Sequence, residues 1–101
     1  PRLSRGMPKV YLRGDTLRIS LLGGGRGAVY RLHDVGRRGH TYRLAMRRGR
    51  RWVTKGWWLR LTDFRGEEEA LESLARLRLP PGLLSRAEKL VAKYYRGRLK
   101  P

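Results

Sequence analysis

The 101-residue sequence predicts an α+β domain: an antiparallel sheet of four to five strands followed by two C-terminal helices packed on one face. Three observations carry that expectation. Through the first 62 residues apolar and basic side chains alternate with a period of two, as in Leu17-Arg18-Ile19, Tyr30-Arg31-Leu32, Tyr42-Arg43-Leu44 and Leu59-Arg60-Leu61. That is the pattern of strands with one buried and one wet face. Beyond residue 62 the apolar spacing becomes helical in two stretches, separated by Pro80-Pro81-Gly82. Strands first and helices last is the order of an α+β fold.

Residues 1–8 (Pro-Arg-Leu-Ser-Arg-Gly-Met-Pro) read as a basic arm, 9–97 as one domain and 98–101 as a basic tail. The chain opens on Pro1, with Met7 as a candidate internal start. A short edge strand is expected over 9–13, ended by Gly14-Asp15; Arg13-Gly14-Asp15 reads as a turn and not as an adhesion tripeptide. The main strands are expected over 16–22, 28–33, 40–48 and 51–62. Gly23-Gly24-Gly25-Arg26-Gly27 is expected to join the first two as a flexible hairpin loop. It lacks the Gly-Lys-Ser/Thr and the following helix of a phosphate-binding P-loop. Val35-Gly36-Arg37-Arg38-Gly39 joins the next pair, and Arg48-Gly49-Arg50-Arg51 makes a tight turn into the last strand.

The first helix opens on Glu67, Glu68 and Glu69, where the helix dipole favours acids, and Ala70, Leu71, Leu74 and Leu77 form its apolar stripe. Pro80-Pro81-Gly82 is expected to stop it. Ser85 with Glu88 reads as a capping box opening the second helix. Leu84, Ala87, Leu90, Val91 and Tyr94 repeat at helical spacing up to Gly97 as C-cap.

Charge is unevenly placed. The first 62 residues hold 16 Lys and Arg against Asp15 and Asp34, so +14 of the formal +17 lies there. Five of the eight acids fall between Asp63 and Glu72, too few and too clustered to neutralise the sheet. Parity places Leu17, Ile19, Leu21, Tyr30, Leu32, Tyr42, Leu44 and Met46 on the core side, and Arg18, Ser20, Arg31, His33, Arg43 and Arg47 on the outer side. In the last strand an unbroken alternation sends Val53, Trp57, Leu59 and Leu61 inward and Trp52, Thr54, Trp58 and Arg60 outward. A bulge at Gly56 would turn Trp52 inward and leave Trp58 out.

Arginine on a sheet face points to a polyanion, and exposed tryptophan among arginines is the chemistry of single-strand binding. Bases stack on indoles while guanidiniums follow the phosphates. The candidate nucleic-acid-binding residues are Arg18, Arg31, Arg43, Arg47, Arg50, Trp52, Lys55, Trp58 and Arg60. With no Asn or Gln anywhere, the chain lacks the usual bidentate readers of adenine, so binding without sequence preference is expected.

The absence of cysteine excludes disulfides and thiolate chemistry, and no metal or cofactor is expected. No apolar run is long enough to span a membrane and no signal peptide is visible, so the expected location is cytoplasmic, associated with the nucleoid. Loss of Asn, Gln and Cys points to a thermophile source; a GC-rich genome equally favours 20 arginines over five lysines.

Four basic strands, tryptophans on the last of them, and two closing helices resemble the ThermoDBP group, single-stranded DNA-binding proteins of hyperthermophilic archaea. The resemblance rests on 16–34 and 42–61 as two hairpins and on 67–77 and 85–96 as helices. It implies a cleft with an apolar floor and basic walls that takes single-stranded DNA without sequence preference. Some members dimerise through a C-terminal zipper. Here Leu84 to Tyr94 spans less than two heptads, so a homodimer by that route lacks its signal and the oligomeric state is left open. The PC4-like and Pur-type modules share this logic.

Other readings stand beside it. A duplex-coating chromatin protein would use Leu22, Val29 or Met46 as minor-groove wedges. An RNA-binding or ribosome-associated protein would contact the 2′-OH. A nuclease would need His33 or His40 as acid or base, but His33 and Asp34 are adjacent on a strand and point to opposite faces. No carboxylate cluster stands ready for a catalytic magnesium, so no enzymatic activity is expected.

Overall fold

A computed structural model describes residues 8–21, 28–35 and 39–98. Its order is β1 (Lys9–Arg13), β2 (Thr16–Ser20), β3 (Tyr30–Asp34), β4 (Thr41–Arg48), β5 (Arg51–Arg60), a 3-10 turn over Leu61–Asp63, α1 (Glu67–Ala75) and α2 (Pro81–Arg98). The five strands form one antiparallel sheet in the order β1-β2-β5-β4-β3, followed by the two helices: an α+β fold. The arm, the 22–27 glycine loop, 36–38 and the last three residues lie outside the described part.

Two of the turns are set by glycine. Arg13 pairs with Thr16 across Gly14, and Arg48 with Arg51 across Gly49; both glycines have φ near +60°. Only the first central residue of the Gly49 turn has positive φ, the arrangement whose twist matches a two-residue hairpin and favours glycine there. The Arg13-Gly14-Asp15 string is thus a turn.

The expected 16–34 hairpin does not form. β2 pairs with β1 on one side and β5 on the other, while β3 pairs with β4. β2 and β3 therefore stand on opposite sides of the β5–β4 pair, about 14 Å apart at the usual strand spacing. Alternation identifies strands but not their neighbours, and the ten-residue β5 is long enough to pair with both β2 and β4.

The helices cover one side of the β1-β2-β5 half. Leu17, Ile19, Leu59 and Leu61 meet Phe64, Ala70, Leu74, Leu79, Leu83, Ala87 and Val91 in one buried cluster, with Val10, Leu12 and Trp57 packed against it. Burying a side chain of this kind contributes about 1.5–3 kcal/mol. Two tyrosines of α2 fasten the helix to the sheet: Tyr94 donates to Asp15 Oδ1 at 2.8 Å and Tyr95 to the Leu61 carbonyl.

Both helix boundaries differ from expectation. α1 ends at Ala75 before the prolines, through Arg76 and a left-handed Arg78 with φ 55°. α2 begins at Pro81, where a fixed φ and a missing N–H suit the first turn. Ser85 consequently lies inside the helix and caps nothing, and Gly97 lies inside the last turn. Among the described residues no helix is long and apolar enough to cross a membrane.

Candidate nucleic-acid interface

Facing residues in an antiparallel pair lie on the same side of the sheet, so register assigns every side chain to a face. Leu17 opposes Leu59 and Ile19 opposes Trp57 on the helix side. Crossing to β4, Leu59 opposes Thr41 and Trp57 opposes Arg43; crossing to β3, Arg43 opposes His33 and Ala45 opposes Arg31. Arg31, His33, Arg43 and Arg47 therefore share the helix side, here called the rear face. Tyr30, Leu32, Tyr42, Leu44 and Met46 lie on the opposite, open face with Arg18 and Trp58.

This corrects the parity assignment for β3 and β4. Each strand alternates as expected, but the phase between strands is one residue away from the expected one. The expectation placed the aromatic and aliphatic residues of β3 and β4 inward. On β3 the apolar set instead points outward: Tyr30 and Leu32 are each 44% exposed. Met46 is buried nonetheless, as is Ala45 on the rear face.

β5 carries a bulge. Leu44 faces Gly56 but Ala45 faces Thr54, so Lys55 has no opposite residue on β4. Beyond the bulge Trp52 and Thr54 lie on the rear face with Trp57, while Trp58 stays on the open one. The unbroken alternation is thereby overturned for Trp52, and the bulged alternative holds. Gly56 makes this bulge possible: an added Cβ would sit 1.9 Å from the Ile19 carbonyl oxygen, so β2 and β5 could not approach as they do.

The open face gathers Tyr11, Tyr30, Tyr42 and Trp58 from four strands, with Leu32 and Leu44 beside them. Lys9, Arg13, Arg18, Arg48, Arg51, Lys55 and Arg60 share the face, and Asp34 is the one carboxylate among its described strand residues. A recess of about 420 Å³ opens here, lined by Lys9, Tyr11, Arg18, Tyr30, Lys55 and Trp58 among others. The Arg18 guanidinium stacks 4.1 Å above the Trp58 ring, and its buried Nε has no hydrogen-bond partner among the described residues. Lys55 Nζ donates to Ser20 Oγ at 3.2 Å and lies 5.5 Å from the Tyr30 ring centre. Arg60 is held by Asp63 at 3.4 Å.

The rear face beyond the helices has its own basic–aromatic set. Arg31 stacks 4.2 Å above Trp52, and Arg43 lies across from Trp57, its Nε also buried and without a partner among the described residues. Between β4, β5 and α1 a cleft of about 610 Å³ is lined by Arg43, Trp57, Arg65 and Arg76, with Glu69 and Glu72 on its helix wall. Arg65 is paired to Glu69. His40 stacks on Phe64 and shares a hydrogen bond with Thr41, while His33 sits on β3 across from Arg43.

Of the nine expected site residues, Arg18, Lys55, Trp58 and Arg60 come together on the open face. Arg31, Arg43, Arg47 and Trp52 come together on the rear, and Arg50 is exposed in the β4–β5 turn. The open face also holds Tyr11, Tyr30, Tyr42, Lys9, Arg13, Arg48 and Arg51, none of them among the expected site residues. Tyrosine at strand positions beside arginine was the available signal, and the apolar bodies of Tyr30 and Tyr42 disguised them as core. No protein-family model, no curated protein and no solved structure matches the chain.

Proposed function

We propose that this chain binds single-stranded nucleic acid, single-stranded DNA foremost, without sequence preference, across the open face of its sheet. One observation carries the reading: among the described strand residues, four aromatic rings from four strands share a face with seven cations and one acid, Asp34, while Asp63 just past β5 pairs with Arg60. Rings supply stacking worth about 1–3 kcal/mol per base, cations neutralise phosphate, and neither identifies a base. A duplex hides its base faces and gains little from such a platform. The expectation of DNA carries over from the sequence alone: the 16–34 hairpin that underlay the ThermoDBP resemblance does not form, and the titration below decides between DNA and RNA.

Titration of labelled single-stranded DNA, duplex DNA and RNA side by side at two salt concentrations tests it. Single strands should bind more tightly than duplex, and mixed sequences within roughly tenfold of one another. If about five cations engage phosphates, log K should fall with log salt at a slope near −3.5. A slope near zero, or a thousandfold preference for one duplex site, overturns the proposal.

A further inference from the structure

We infer that the rear face of the β3–β4 half is a second contact surface for the same single strand, engaged when the strand is long enough to pass over the β3 edge. The inference rests on the open-face reading above.

Four observations lead to it. First, α2 packs against β1 and β2, and Arg31 and Arg47 on the rear of β3 and β4 are exposed. Second, the rear face repeats the chemistry of the open one: Arg31 over Trp52 at 4.2 Å mirrors Arg18 over Trp58 at 4.1 Å. Third, Arg43 Nε is a buried donor without a partner among the described residues on this face, as Arg18 Nε is on the other. Fourth, β3 pairs with β4 alone, so a single strand separates the two surfaces at that edge. Val29 and Val35, which flank β3, are exposed at the two ends of that edge.

Phosphates on the rear would follow Arg31 and Arg47, away from Glu69 and Glu72 on the α1 side of the cleft. A strand already held on the open face meets the rear at high effective concentration, so modest rear contacts translate into a large gain for long strands and none for short ones.

The test is a length series of oligothymidylates, from about six to about 20 nucleotides, spanning the range one such domain covers. The rear double variant Arg31→Ser/Arg47→Ser alters only exposed side chains and should fold like the parent. A charge-matched control, Arg86→Ser/Lys89→Ser, removes two exposed cations from α2. The rear variant should bind the shortest strand like the control and the longest roughly tenfold more weakly, with a salt slope shallower by about 1.4 on the long strand only. If it binds every length as the control does, or loses short and long strands equally, the inference is overturned. Failure of the open-face reading looks different: Trp58→Ala would then bind the shortest strand as tightly as the parent.

Discussion

Leu17 and Leu32 each neighbour an arginine in an alternating strand, yet Leu17 is fully buried and Leu32 is 44% exposed. The difference lies in what stands opposite. Leu17 faces Leu59 beneath α2, in the half of the sheet that the helices roof. Leu32 faces Leu44 on the open side of the other half. In the roofed half, alternation sorts side chains into a core and a solvated row as amphipathic strands do. On β3, at the outer edge of the unroofed half, both rows are largely accessible, and the same alternation sorts side chains into an aromatic–aliphatic surface and an arginine surface. One pattern thus produces a core in one place and two candidate binding surfaces in another.

The largest effect that separates the halves is on stability. Leu59→Ala removes a fully buried side chain from the roofed half and should cost about 2–5 kcal/mol in chemical denaturation. Leu32→Ala should cost about 0.5 kcal/mol or less, since little packing is lost at an exposed site. Equal losses would mean that β3 is covered and the comparison fails.

The seam between the halves comes next. Gly56→Ala drives a methyl into the Ile19 carbonyl and should destabilise by about 1–3 kcal/mol, more than the same change at Gly66, where no atom lies within 4 Å of the added carbon. A thermal melt of both variants is sufficient, and equal melting temperatures would remove the close β2–β5 approach that sets the bulge.

The tryptophan pair sharpens the contrast at adjacent positions. Trp58→Ala should weaken single-strand binding by about 1–3 kcal/mol with the fold nearly as stable. Trp57→Ala, which leaves a gap against the buried cluster, should lose about 3 kcal/mol of stability. Binding isotherms and melts of both variants decide it; the reverse pattern would invert the two faces.

The smallest effect is on the open-face platform alone. Tyr30→Ala should weaken binding by about 1 kcal/mol and leave the melting temperature within a few degrees, because the ring is largely exposed. Binding unchanged by this substitution would confine the platform to the strands nearer Trp58.

What the sequence determined by itself was local. Period-two alternation identified the strands at nearly their true limits, Gly14 and Gly49 marked the tight turns, and the clustered Glu67, Glu68 and Glu69 marked the start of α1. The excess of basic residues over the first 62 is likewise a property of composition. The tertiary structure decided which strands are neighbours and which face each row of side chains occupies. Those choices depend on contacts between residues far apart in the chain. β5 inserted between β2 and β4, Lys55 bulged out, and the phase of β3 and β4 shifted by one residue against β2. A single step of register moves every side chain of a strand to the other side. That step placed Arg31, Arg43 and Arg47 behind the sheet and Tyr30 and Tyr42 in front, beside Arg18 and Trp58.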